Sequence, residues 1–113
     1  MRKVLLHSIL VAAALLSGCA TETVRNPVTG KEERTVMNEA TELAEGKKAH
    51  EQVLAEYGVY KDPKLQAYVN EIGQRLAKQS DRAQLEWHFT VLDSPEINAF
   101  ALPGGYVVVF TGL

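Results

Sequence analysis

The segment that most constrains the fold is the last one, residues 93–113, which read DSPEINAFALPGGYVVVFTGL. Residues 93–95 predict a turn, residues 97–102 a short extended segment, and the Pro-Gly-Gly at 103–105 a hairpin turn. The run from 106 to 110 is apolar throughout, which is typical of a strand buried on both faces. Such a strand needs a covering layer on each side of its sheet. We expect the covering layers to be missing from these 113 residues.

Two helices are predicted before this segment. Asn38 is a good N-cap for the first helix, and Gly58 suits the position just after its end. Asp62 and Pro63 supply an N-cap and a first-turn proline to the second. Because the connection is short, we expect the helices to be antiparallel neighbours with both apolar stripes in the core. The stripes are Ala40, Leu43, Gly46, His50, Val53 and Tyr57, and then Leu65, Tyr68, Val69, Ile72 and Leu76.

Gly46 is a further sign of packing in the first helix. A glycine inside a helix costs about 1 kcal/mol relative to alanine, so it predicts a close approach by another element. After the second helix, apolar and polar residues alternate in the pattern of a half-buried strand. The sequence therefore predicts an α+β fold of two helices followed by a small β-sheet. The apolar residues of the alternating strand are Leu85, Trp87, Phe89 and Val91.

Residues 1–18 have the organisation of a bacterial signal peptide. Arg2 and Lys3 form a charged start, and the apolar run that follows is too short for a comfortable transmembrane helix. The sequence Leu-Ser-Gly-Cys resembles a lipobox, so we predict that Cys19 is lipidated and becomes the first mature residue. The alternative is a free cysteine buried in an N-terminal helix. Ala20 follows the cysteine, which by resemblance to sorted lipoproteins favours the periplasmic face of the outer membrane.

Cysteine and charge content narrow the range of partners. Cys19 is the single cysteine, so no intrachain disulfide forms, and acylation would remove an unpaired thiol and anchor the chain to a lipid bilayer. Without Arg2 and Lys3, 10 Lys and Arg residues stand against 14 Asp and Glu residues, a net charge of −4. We therefore expect no nucleic-acid partner.

The chain is predicted to have three parts. Residues 1–18 are the signal peptide, residues 19–37 are the lipidated cysteine and a polar tether, and residues 38–113 are the N-terminal portion of an incomplete folded domain. The tether prediction rests on the turn signal Asn-Pro-Val-Thr-Gly at 26–30 and on the mixed charges that follow it without an apolar period.

One sequence begins like a zinc-binding motif but does not complete it. In HExxH, histidines at i and i+4 share a helix face and bind one Zn²⁺. Here His50 and Glu51 are followed by Leu54 at the second histidine position, so we interpret His50 as a partly buried packing residue. His88 lies on the polar side of its strand. We predict no catalytic residues and no metal ligands in this chain.

Several segments in order resemble the exported HtpX-type zinc metallopeptidases, HExxH gluzincins whose lipoprotein members act in envelope protein quality control. They are the lipobox, the Asn-Pro-Val-Thr-Gly segment, the helix that ends in Glu-Tyr-Gly, the Asp-Pro start of the second helix, and Asn-Ala-Phe followed by Leu-Pro-Gly-Gly at 98–105. The resemblance covers essentially the whole chain. It implies a zincin-like domain and a metalloendopeptidase that depends on zinc.

The resemblance also implies a role for three residues. In that family the strand with Asn-Ala-Phe lines the active-site cleft and pairs with an extended substrate. Asn98, Ala99 and Phe100 are therefore predicted to bind unfolded or extended polypeptides. Asn98 is alternatively a residue at the end of a strand that bonds its own neighbours. Gly104 and Gly105 are predicted to supply positive φ angles to the hairpin turn.

The chain departs from the family pattern because the zinc helix and the glutamate ligand that follow this strand are not among the 113 residues. We therefore expect a membrane-anchored endopeptidase whose catalytic helix this chain lacks, so that the chain alone is inactive. The alternative is a non-catalytic envelope lipoprotein that binds extended peptide through residues 98–102.

Overall fold

The structure is a computed structural model that describes residues 21–113. The predicted signal peptide and the lipidation site Cys19 lie outside the described residues, and both stay predictions. The described chain is α+β, as predicted, and none of its helices is long and apolar enough to span a membrane. Its elements are β1 (Glu22–Arg25), β2 (Glu32–Thr35), α1 (Glu39–Tyr57), α2 (Pro63–Lys78), β3 (His88–Leu92), β4 (Ala99–Leu102) and β5 (Tyr106–Phe110).

Both helices begin where the sequence predicts. The Asn38 side chain accepts a hydrogen bond from the Thr41 backbone N–H at 2.8 Å, which caps α1. Gly58 follows its last residue with a φ of 80°. At the start of α2, the Asp62 carboxylate accepts from the backbone N–H groups of Lys64 and Leu65 at 3.1 Å. The predicted starts of both helices and the predicted end of α1 are therefore confirmed.

β5 is the central strand of a three-stranded sheet with the order β3-β5-β4. It runs parallel to β3, with Leu92 opposite Phe110, and antiparallel to β4, with Ala99 opposite Val109. The chain runs from β3 to β4 and then turns back to form β5 between them, so β4 lies at one edge of the sheet. The predicted hairpin between the last two strands is confirmed.

The two helices pack on opposite faces of this sheet, so the predicted antiparallel helix pair is wrong. Val108 and Phe110 are 0% and 2% exposed and pack against Val53, Leu54 and Tyr57 of α1. Side chains alternate across a strand, so the residues next to Val108 point away from α1. The α2 helix covers that other face at β3. Its Gly73 lies against the ring of Phe89, which is the neighbour of Val107 in the sheet. One helix therefore lies on each side of the sheet.

This arrangement also corrects the expected absence of covering layers. α1 and α2 both cover the sheet because the short link between them crosses from one face to the other. The cover on the α2 face is partial, since Val107 and Val109 remain half-buried. The α2 stripe is likewise only partly core, with Tyr68 62% and Leu76 68% exposed.

The predicted polar tether contains an antiparallel hairpin of β1 and β2. The Asn26 side chain accepts hydrogen bonds from the N–H groups of Val28 and Thr29 at 2.9 and 3.2 Å, which builds the turn. All of β1 is exposed, and only Thr35 of β2 is half-buried. Local turn chemistry, rather than burial, forms this hairpin, which explains why an apolar period did not reveal it.

Candidate functional site

The three predicted substrate-binding residues lie together at the start of the edge strand β4. Asn98 immediately precedes the strand and is exposed, Ala99 is exposed, and Phe100 is half-buried. The Phe100 ring meets Phe110 edge to face, with 5.8 Å between the ring centroids, so it belongs in part to the core.

The backbone of β4 has hydrogen-bonding groups at the sheet edge that no other residue of 21–113 bonds. The Phe110 N–H donates to the Asn98 carbonyl at 3.0 Å, so these two residues form a hydrogen-bonded pair. Pairs alternate along an antiparallel ladder, which makes Phe100 with Val108 the next bonded pair. The N–H and C=O groups of Ala99 and Ala101 therefore point away from β5, toward the open side. Asn98 ends the ladder through its backbone, as the alternative interpretation expected, while its side chain stays accessible.

The turn that follows β4 is held tightly against α1. Gly104 and Gly105 have φ angles of 82° and 97°, which confirms the prediction for both residues. A Cβ atom added at Gly46 would overlap the carbonyl of Pro103, so the close approach predicted at Gly46 is this contact with the turn. The glycine lets the backbones of α1 and the turn touch directly.

An ion pair fixes the same turn from the side. The Glu42 carboxylate accepts two hydrogen bonds from the Arg82 guanidinium, at 2.7 and 3.0 Å, and one from the Gly104 N–H at 3.1 Å. The Arg82 bonds, helped by the Gly104 N–H and opposed by burial, lower the pKa of Glu42 below its ordinary value. The partners are 40 and 62 positions away, so no local signal could have found them.

Both described histidines pack against Tyr106 at the start of β5. Ring centroids are 4.6 Å apart for His50 and Tyr106 and 4.7 Å for His88 and Tyr106. The His50 Nε2 is also 3.5 Å from the Thr90 hydroxyl. Burial, and then the charge of His88, lowers the pKa of His50. The interpretation of His50 as a partly buried packing residue is therefore confirmed.

The described residues do not form a zinc site. Among residues 21–113, no group of three His, Cys, Asp or Glu side chains could hold a metal ion. His50 and His88 contact Tyr106, and Leu54 takes part in the core where HExxH would have its second histidine. The described residues therefore do not fit a catalytic metal.

Comparison with known proteins shows which proteins this part of the chain resembles. The model of Peptidase family M48 matches residues 63–113, which include α2 and the whole three-stranded sheet. The β-barrel assembly-enhancing protease of Escherichia coli K12 is 40% identical over 52 residues, 46% of this chain and 11% of that protein. Its Yersinia pestis counterpart is 29% identical over 114 residues, 96% of this chain and 24% of that protein.

A eukaryotic relative matches as well. The mitochondrial metalloendopeptidase OMA1 of Schizosaccharomyces pombe is 37% identical over 68 residues, 58% of this chain and 20% of that protein. The resemblance to metallopeptidases is thus confirmed, and residues 63–113 are similar to part of the domain of Peptidase family M48. The chain spans between about a tenth and a quarter of the length of these relatives.

Proposed function

We propose that this chain supplies the substrate-binding strand of a membrane-anchored zinc metalloendopeptidase that acts on proteins of the bacterial cell envelope. The single observation that carries the proposal is the free edge of β4, where Ala99 and Ala101 direct unpaired backbone groups outward. An extended polypeptide adds to such an edge as a further strand, with main-chain hydrogen bonds that do not depend on its sequence. This suits an enzyme that accepts many unfolded proteins.

Each of the three predicted residues has a part in this proposal. Ala99 supplies the outward N–H and C=O groups, and the exposed Asn98 amide beside it bonds the backbone of the bound polypeptide where that strand extends past β4. Phe100 holds the strand in place through its contact with Phe110. An edge strand needs this support, because a strand that shifts its register would present the wrong groups.

The remaining parts of the enzyme come from elsewhere in the sequence. We propose that zinc is bound, and that peptide hydrolysis is catalysed, by residues other than 21–113, because these offer no set of three ligands. The lipidated Cys19 anchors the domain to the bilayer, with the β1–β2 hairpin between anchor and domain. The resulting location is the periplasmic face of the outer membrane.

The second candidate is a non-catalytic envelope lipoprotein that binds extended peptide through residues 98–102. The absence of a metal-ligand group within the described part of the chain favours it, and the same β4 edge would serve it. The two candidates differ in what the gene encodes after the Leu113 codon.

The test has two steps. Genomic DNA is sequenced past the Leu113 codon, and the proposal predicts an in-frame HExxH helix and a later glutamate ligand. The encoded protein is then assayed for zinc-dependent cleavage of an unfolded casein. Ala99→Pro should reduce that cleavage, since it removes an outward N–H that the fold does not use, whereas Ala99→Ser keeps the N–H and should cleave normally. A stop codon at this point would support the non-catalytic alternative.

A further inference from the structure

We propose that β4 binds extended polypeptide in one antiparallel register, with peptide residue n opposite Ala101, residue n+2 opposite Ala99, and bulky apolar side chains at those two positions. This inference rests on the proposed function, because it concerns the same strand edge. It goes beyond that function by naming the preferred substrates, which are segments with an apolar side chain at every second residue.

The register follows from the backbone of β4. Because Asn98 is bonded to Phe110, the outward groups belong to Ala99 and Ala101 and not to Phe100. A peptide that adds in the antiparallel direction, the more stable pairing per residue, exchanges two hydrogen bonds with each alanine. The bonding residues of the peptide are therefore two positions apart, and the residue between them directs its N–H away from β4.

The side-chain preference follows from what covers each face. Residues directly opposite in a sheet place their side chains on the same face, so residues n and n+2 lie on the face of Ala99 and Ala101. That face is open near β4: both alanines are exposed, and Val107 and Val109 of the next strand are only half-buried. Small alanines beside half-buried valines form an apolar shelf that long aliphatic side chains can cover.

The other face offers less room. Residue n+1 lies opposite Phe100, whose ring already packs edge to face on Phe110 beneath α1. A slip of one residue would move the apolar side chains from the open shelf to this occupied face. The structure thus favours apolar side chains at n and n+2 and tolerates a polar one at n+1.

The experiment uses the full chain labelled with ¹⁵N and a seven-residue peptide. The peptide has leucines at its third and fifth positions, threonines at its second, fourth and sixth, and a lysine at each end. Three variants each carry one backbone N-methyl group, on the first leucine, on the threonine between the leucines, or on the second leucine. Binding is followed by NMR through the amide signals of Ala99 and Ala101, with the inward amide of Phe100 as the internal reference.

The unmethylated peptide should shift the Ala99 and Ala101 signals more than that of Phe100. Methylation of either leucine should weaken binding about fivefold or more, because it removes a hydrogen bond to β4. Methylation of the central threonine should change binding by less than about twofold, because that N–H points to solvent. Equal losses at all three positions, or the largest loss at the threonine, would overturn the register. No binding by the unmethylated peptide would instead overturn the proposed function.

Discussion

The Glu42 carboxylate and the Arg82 guanidinium face each other in a two-bond pair, at 2.7 and 3.0 Å, that joins α1 to the loop after α2. The carboxylate also accepts the N–H of Gly104 in the turn after β4. One side chain therefore links three separate parts of the chain next to the candidate site. The ion pair is partly shielded from solvent, because the side chains of Glu42 and Arg82 are 22% and 33% exposed.

Replacement of Glu42 should measure this link. Glu42→Gln keeps the size of the side chain but removes its charge, and we expect it to lower the free energy of unfolding by about 1–2 kcal/mol. Chemical denaturation of the full chain checks this. Glu45→Gln, an exposed change on the same helix, is the matched control and should alter stability by less than about 0.5 kcal/mol. Equal effects of the two variants would contradict a role for the ion pair.

Acid should weaken the same link in a predictable direction. The pKa of Glu42 is lower in the folded chain than its ordinary value of 4.5, because Arg82 and the Gly104 N–H favour the charged form. Its contribution is therefore fully present above that ordinary pKa and is lost as the pH falls through the folded pKa. Stability curves of the wild type and Glu42→Gln should converge on acidification. Curves that stay parallel down to low pH would be inconsistent with this account.

His50 should add a second pH dependence at higher pH. Its pKa is lower in the folded chain than the ordinary 6.5, first because of burial and then because of His88. The unfolded chain therefore takes up a proton before the folded chain does, so stability should fall as the pH drops below about 6.5, until the folded pKa is passed. His50→Gln should flatten this part of the curve. An NMR titration that gives His50 a pKa above 6.5 would disprove the prediction.

Gly46→Ala should destabilise the protein although alanine is the better helix former. Alanine gains about 1 kcal/mol of helix propensity, but its Cβ would overlap the Pro103 carbonyl and push the turn away from α1. We expect a net loss of about 2 kcal/mol or more in thermal or chemical unfolding. Lys47→Ala, next along the helix and exposed, is the control and should be close to neutral. A stabilised Gly46→Ala variant would show that the contact is loose.

The two faces of the sheet should respond differently to truncation. Phe110→Ala removes a ring that is 2% exposed from the α1 face, and it should cost about 3–5 kcal/mol. Leu76→Ala on α2 shortens a side chain that is 68% exposed and should cost less than about 0.5 kcal/mol. Unfolding curves of both variants test the assignment. A large loss from Leu76→Ala would mean that its stripe is core, as the sequence had suggested.

Local signals in the sequence predicted most of the elements. Asn38, Asp62 and Pro63 define helix starts through chemistry that involves only their own neighbours, and the paired glycines define the last turn in the same way. The edge position of β4 was implied by the resemblance to metallopeptidases, in which this strand pairs with substrate, and not by the strand propensity of its residues. The β1–β2 hairpin was missed because its strands bury almost nothing, so it leaves no apolar period.

What the sequence did not predict depends on pairings between distant residues. The short link between the helices indicated that they pack together. Instead it passes around the β3 side of the sheet and leaves α1 and α2 on opposite faces. An amphipathic stripe does not show whether a helix packs against another helix or against a sheet. Tyr68 and Leu76 fit a helical period whether or not another element covers them. The Glu42–Arg82 pair likewise arises only once the turn after β4 reaches α1.

Ala99 and Ala101 hold the outward hydrogen-bonding groups of the candidate site. Amide hydrogen exchange of the full chain, measured by NMR with and without an unfolded casein, tests this assignment most directly. We expect fast exchange at Ala99 and Ala101, slow exchange at Phe100 and Leu102, and added protection at the two alanines when casein is present. Slow exchange at both alanines in the chain alone, or no change with casein, would contradict this assignment.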